Sequence, residues 1–516
     1  MAKTHRAPVY ARNGVVAASQ PLAVSAGIEI LQRGGSAIDA AIATSAVLAV
    51  VEPGASHLGG DAFVITYNAA DKSTLAFNGS GEAPHAATPE AYSGGIPLHG
   101  YKSATVPGLV STWFATHEKY GNLPIEEILQ AAIDYAENGF PANTGFVRRM
   151  AHHLKVFPKS ELFRELEIPT GLGIGEIVLQ KNLAESLLTI AEEGRSAFYQ
   201  GWIAEELVKG SHGWFSAEDL SSHRTRVITP LTVPYRDIYV HGQPPPSQGM
   251  ILMEELRIAD GFELSQLSEA DRIHLMVEAK KIAFEDRYAL LGDPEHIDIN
   301  LEELFSDHSI AKRRSRIDLF KADTSKKRYP KEGSDTTYFL VADRDGNAVS
   351  WIQSVFHGII MNNRLTGFSL HPDSPNLIAP GKRPAHTLNA WMATRADGSL
   401  ALVGGTPGAN IQVQTNFQLI VNAIDLGMNP QENAEAPRWQ HLAKSSSSEV
   451  ENFDGVLQIE ERVEFPTISS LKERGHEVET LSPYGHGSSV QLLEVTSDGT
   501  FIAGSDPRAE GHAAGI

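Results

Sequence analysis

The chain has 516 residues, 42% of them hydrophobic and 21% charged, enough apolar material for several ordinary domains or for one large α/β body. A formal net charge of −20 argues against non-specific nucleic-acid binding, and the absence of cysteine excludes disulfides, thiolate catalysis and Cys-ligated metals. The first ten residues carry basic side chains with no apolar run behind them, and Gly34, Gly35 and Asp39 interrupt 14–50. Neither a signal peptide nor a membrane span is expected, and the expected compartment is the cytoplasm.

In chain order, a short strand over 14–18 precedes a helix over 21–32, which Arg33-Gly-Gly-Ser36 ends while capping the next. That second helix, 37–50, is Ala-rich and apolar on nearly every side, so it should be buried. The Gly-rich turn 54–61 leads into a strand over 62–67. The middle of the chain reads as mainly helical, with helices over 125–138, 183–193, 216–221 and 269–291. Pro244-Pro-Pro-Ser-Gln-Gly249 should form a rigid turn. Residues 307–334, crowded with charged and polar side chains, read as a surface segment whose end would tolerate a chain break.

Beyond 336 the pattern turns to strands. Residues 338–342 and 348–353 flank Asp343-Arg-Asp-Gly-Asn347, a hairpin signal. Further strands are expected over 400–404, 489–494 and 501–504, and helices over 412–426 and 467–474.

Thr336 and Thr337 stand at the head of this hairpin, just behind the polar segment. β-Branched residues open strands readily, so the pair alone can be structural. A threonine hydroxyl becomes a competent nucleophile only beside a base, and the base nearest to hand is the residue's own α-amino group. That amine exists only if the bond between Asp335 and Thr336 is cut. Ser354, on the second strand of the hairpin, is brought back towards position 336 by antiparallel pairing. The loop 404–410 precedes a helix, and its backbone N–H groups suit a developing oxyanion, although an ordinary strand-to-helix turn looks the same in sequence. No phosphate-binding loop, dinucleotide fingerprint or His-Glu-x-x-His run occurs, so no cofactor and no metal are expected.

Taken together, the segments resemble the γ-glutamyltransferase family of N-terminal-nucleophile hydrolases. The matching stretches are Gln32-Arg-Gly-Gly-Ser-Ala-Ile-Asp-Ala-Ala41, Leu58-Gly-Gly-Asp61, Val106-Pro-Gly108, Pro244-Pro-Pro-Ser-Gln-Gly249 and Leu291-Gly-Asp-Pro294. Asp335-Thr-Thr-Tyr338, Asp345-Gly-Asn-Ala-Val349, Gly381-Lys-Arg-Pro384, Ala436-Pro-Arg438 and Ser505-Asp-Pro-Arg508 complete the set. The resemblance implies an α+β fold, a four-layer αββα sandwich. It also implies self-cleavage into residues 1–335 and 336–516, which stay associated, and a dimer of such processed pairs.

Thr336 is then the nucleophile with its freed amine as general base, Ser354 orients it, and Gly408 and Ala409 supply the oxyanion-hole amides. Departures bear on substrate. The family's arginine for the substrate α-carboxylate is replaced near Ser80, and its acid for the α-amino group by Gly367. A Ser-Ser pair becomes His386-Thr387, an Asn becomes Phe356, and the loop 357–362 is shorter than in the family.

The divergent branch with oxamate amidohydrolases and cephalosporin acylase-like proteins is the better likeness. Ser80, Phe356, Asn363, Arg364, His386 and Thr387 are expected to contact substrate. Arg364 either grips a carboxylate or pairs with a nearby Asp. The expected activity is hydrolysis of a small-molecule amide with an acidic acyl part and no α-amino group. The alternatives are true γ-glutamyl transfer or glutathione hydrolysis, and an unprocessed, non-catalytic binding protein.

Overall fold

Side chains alternate across the hairpin Thr337–Asp343 and Ala348–Ser354, and both of its faces are apolar. Tyr338, Leu340 and Ile352 point one way; Phe339, Val341 and Trp351 point the other. A hairpin of this kind must be covered on both sides, and it is central in a sheet. The computed structural model describes residues 4–156, 171–326, 336–358, 360–444 and 455–516. Among these, two seven-stranded sheets dominate a mixed α/β fold.

In the first sheet the strands run His512–Gly515, Gly14–Ala18, Thr337–Asp343, Ala348–Ser354, Asp61–Asn68, Ser73–Asn78 and Arg226–Ile228, every neighbour antiparallel. The second runs Val9–Ala11, Phe501–Ser505, Gln491–Val495, Leu400–Gly405, Trp391–Arg395, Ile238–Gly242 and Leu231–Tyr235, also antiparallel. Each sheet therefore takes strands from both sides of position 336.

The sheets face each other across one apolar cluster that includes Val15, Phe63, Tyr338 and Leu340 from the first and Met392, Val403 and Leu493 from the second. The outer face of the first sheet packs on helices Pro21–Gln32 and Ala37–Val51. The outer face of the second packs on Gly249–Ala259, Glu269–Leu290 and Gln412–Ile424. Ala37–Val51 is buried along its whole length, as its composition requires, and starts at a capping box between Ser36 and Asp39. The hairpin turn is tied by Asp343, whose carboxylate accepts from the backbone N–H groups of Asp345, Asn347 and Ala37.

Two expectations need correction. The middle of the chain is not only helical: Arg226–Ile228, Leu231–Tyr235 and Ile238–Gly242 add strands to both sheets. Pro234 hides the strand signal, yet it is tolerated because Leu231–Tyr235 is an edge strand. The segment from 307 is largely exposed over its described residues, as expected, but Asp307–Arg314 forms a helix within it that buries Ile310 and is capped by Ser306. The end of that segment, including Asp335 and the expected cleavage point, lies outside the described residues.

Candidate active site

Register sets the site. Thr337 lies opposite Gln353 and Ser354 opposite Asp61, so positions 336, 354 and 61 form one row across the first sheet. Phe63 opposite Asn78 carries the row on to Ser80. Alternation then puts the side chains of Thr336, Ser354 and Asp61 on the face that looks towards the second sheet. Thr336 Oγ1 donates to Ser354 Oγ at 3.2 Å. Ser354 Oγ is itself fixed, accepting at 2.7 Å from the N–H of Phe356. Phe356 adopts a φ of +64° to make that turn, a conformation that L-residues adopt at a cost. Thr336 is buried, so little solvent competes for its hydroxyl.

Beside this row lies a buried ionic group. Asp61 receives both Nε (2.9 Å, on Oδ2) and Nη2 (3.0 Å, on Oδ1) of Arg364, a two-point pair, and His386 Nε2 lies 2.7 Å from the same Oδ2. His386 Nδ1 accepts from Leu388 N–H, which makes Nε2 the protonated nitrogen that donates to Asp61. Burial, with Arg364 adding its charge, holds the imidazole down at about 4, so it is neutral at pH 7. Burial works to raise the Asp61 carboxyl, but Arg364 and His386 outweigh it and hold the group below its ordinary range. Arg364 Nη1 reaches Thr387 Oγ1 at 3.3 Å, and the guanidinium lies 4.6 Å over the Phe356 ring.

The loop 406–410 closes the other side. Gly405 presses on the ring of Tyr338, two residues from Thr336, which anchors the loop beside the hairpin. Gly408 has φ +129° and Ala409 φ +48°. Strain at an alanine in this region is worth a functional question. Gln248 Nε2 bridges the carbonyls of Thr387 (2.6 Å) and Ala409 (2.8 Å), and Gln248 N–H donates to His386 O. The Pro-rich turn thus holds the two loops in fixed relation.

The structure brings Thr336, Ser354, Arg364, Phe356, His386 and Thr387 into one connected set, with Gly408 and Ala409 joined to it through Gln248. Ser80 and Asn363 are buried in local bonding: Ser80 Oγ donates to Asn78, and Asn363 ties His357 N–H to Leu98 O. Arg364 pairs with Asp61, the second of its two expected partners, in the interior and not at the surface. Asp61 and Gln248 went unassigned in the sequence. A charge opening the apolar strand Asp61-Ala-Phe-Val-Ile-Thr-Tyr67 is the signal for the first, since such a charge needs a cation. Away from this site, His274, Glu278 and His476 have ligand atoms close enough to hold a cation, but Lys281 already pairs with Glu278 at 2.7 Å.

The profile of the family described as Gamma-glutamyltranspeptidase matches residues 23–516. The chain is 37% identical to the glutathione hydrolase-like YwrD proenzyme of Bacillus subtilis, covering 96% of this chain and 97% of that protein. It is 33% identical to the oxamate amidohydrolase proenzyme of Klebsiella pneumoniae, covering 98% of each. The crystal structure of cephalosporin acylase from Bacillus halodurans superposes with a TM-score of 0.91 at 32% identity, over 100% of this chain and 98% of that one. With matches that run nearly end to end, the chain is an enzyme of the gamma-glutamyltranspeptidase family.

Proposed function

We propose that the chain cuts itself before Thr336 and then hydrolyses an amide whose acyl part is acidic and carries no α-amino group. Thr336 Oγ1 attacks the amide carbonyl, and its proton passes to the freed α-amine, whose ordinary pKa of about 7.7–8.0 suits a base at neutral pH. The amine then protonates the leaving nitrogen, an ester remains on Thr336, and water releases the acid. Gly408 and Ala409 amides stabilise the oxyanion. The observation that carries this reading is the 3.2 Å bond from Thr336 to a Ser354 that is itself held by backbone. The helix–sheet–sheet–helix order supports the four-layer αββα arrangement. Because both sheets draw strands from either side of 336, the pieces 1–335 and 336–516 stay associated.

The substrate reading rests on what the pocket lacks. Positions 80 and 367 are uncharged, and Arg364 spends its two-point face on Asp61. What remains for an acyl carboxylate is the Nη1 edge of Arg364 with Thr387. The relative named as an oxamate amidohydrolase supports this choice. A second reading, glutathione hydrolysis, is favoured by the name of the 37% identical relative.

Denaturing gels and turnover of oxamate, glutaryl-p-nitroanilide and glutathione test both. Two bands with the smaller beginning at Thr336, and glutaryl or oxamate turnover exceeding glutathione turnover, are expected. Thr336→Ala should give one band and no turnover, and Thr336→Ser some of each. Preferred turnover of glutathione overturns the substrate assignment, and cleavage by the Ala variant overturns the nucleophile.

A further inference from the structure

Thr337 points to the opposite face from Thr336, into the layer of helices, where it meets an acid that the mechanism above does not use. Thr337 Oγ1 and Ser19 Oγ are 2.8 Å apart, and Ser19 Oγ lies 3.0 Å from each carboxylate oxygen of Glu52. Ser19 has one proton, which it gives to Glu52, so Thr337 donates to Ser19. Glu52 is buried, with 7% of its surface exposed, and caps the C-terminus of helix Ala37–Val51, where the helix dipole already places negative charge. Among the described residues it has no ion-pair partner, and Ser19 is its hydrogen-bond donor. A buried carboxylate at a helix C-terminus with one hydroxyl for company is short of a cation.

The cleavage proposed above would create one, the α-ammonium of Thr336, together with a carboxylate at the end of the 1–335 piece. An amine at the head of a strand lies in the plane between the two faces, within reach of the Thr336 side on one hand and the Thr337–Ser19–Glu52 line on the other. We propose that Glu52 is the counter-ion of the α-ammonium group at Thr336, its charge favouring the protonated form of that amine across the Ser19 and Thr337 hydroxyls that line the gap between them. The inference rests on scission before Thr336.

Among the described residues, the other ionisable groups around the row are already balanced or neutral. Asp61 is paired with Arg364, His386 is neutral, and His57 in the adjoining loop is held at about 4 by burial. Tyr338, raised by burial, stays a phenol, and Gln353 on the neighbouring strand carries no charge. Among the described residues, Glu52 is thus the unbalanced charge beside the amine. Its removal should let the amine lose its proton at lower pH.

The test follows sulfonylation of Thr336 by phenylmethanesulfonyl fluoride, read as mass gained by the smaller fragment from about pH 5 to about pH 9. At an effective dielectric of about 20, a unit charge about 6–8 Å away moves such a titration by about 1.5–2 pH units. Glu52→Gln should therefore shift the half-point down by that amount, and Glu52→Asp should keep it near the parent value. Ser19→Ala, which leaves the charge and removes its competing donor, should leave the half-point at or above the parent. An unchanged half-point in Glu52→Gln, or a fall in Ser19→Ala, overturns the inference. If Glu52→Gln does not fold, Glu52→Met, uncharged and of similar volume, is read by the same criterion as Glu52→Gln. A parent protein that is never cut overturns the proposed mechanism instead.

Discussion

Asp61 is the residue on which the site's electrostatics turn. Its carboxylate holds Arg364 at two points and fixes the tautomer of His386, all three out of water. Replacing Asp61 with Asn would leave the Arg364 guanidinium buried without its counter-ion. Breaking one side of such a pair costs about 3–5 kcal/mol, so denaturant unfolding of Asp61→Asn should show a loss of that order. Replacing both partners, as Asp61→Asn with Arg364→Met, should recover much of the stability while turnover stays low. A double variant as unstable as the single one would mean that the pair is not the source of the loss. Thr336 and Ser354 could be read from the sequence because hairpin register follows from strand length and turn type. The Asp61 pairing could not, since its partner lies some 300 positions away in sequence.

Gly405 links two elements. A Cβ added there would lie 2.3 Å from the Tyr338 ring, and that ring cannot swing away, being buried with its hydroxyl 2.8 Å from Ser350. Gly405→Ala must therefore move the strand Leu400–Gly405 and with it the loop that carries Gly408 and Ala409. Overpacking of this kind costs about 1–3 kcal/mol. A displacement near 1 Å can lower turnover by about a hundredfold. Expected are a modest fall in Tm and a much larger fall in kcat than in substrate affinity. Unchanged kcat would place the oxyanion donors elsewhere. The hairpin and the helices over 21–32 and 125–138 follow from local pattern alone. The edge strand through Pro234 does not, because its place at a sheet edge is what makes the proline acceptable.

At the scale of the molecule, buried imidazoles govern the response to acid. His57, His241 and His386 are held at about 4, His486 at about 3 and His476 at about 2, in each case first by burial. As pH falls below about 6.5 the unfolded chain takes up protons that the folded one refuses, so stability present above that pH is lost towards about 4. Burial pushes Glu255 up to about 8 and Glu254 also upward; their contribution has the opposite sign and fades as pH rises from about 4.5. Five groups against two leave a net loss on acidification, at about 1.4 kcal/mol per unbalanced proton and pH unit. Tm should therefore climb from about pH 5 to about pH 6.5. A flat or falling Tm across that window would show that these imidazoles are not neutral in the folded state.

By itself the amino-acid order determined the helical and hairpin periodicities, the threonine at the head of a strand, the row that returns Ser354 to it, and the family likeness carried by the spacing of short motifs. These are local or cumulative properties, set by side-chain alternation, capping and turn chemistry over a few residues. Only the tertiary structure decided that Arg364 is spent on Asp61, that Gln248 ties the two loops together, and that Glu52 sits behind Thr337 with no cation among the described residues. Each depends on which distant side chains share a buried volume, where a missing partner costs several kcal/mol, and no local pattern records that.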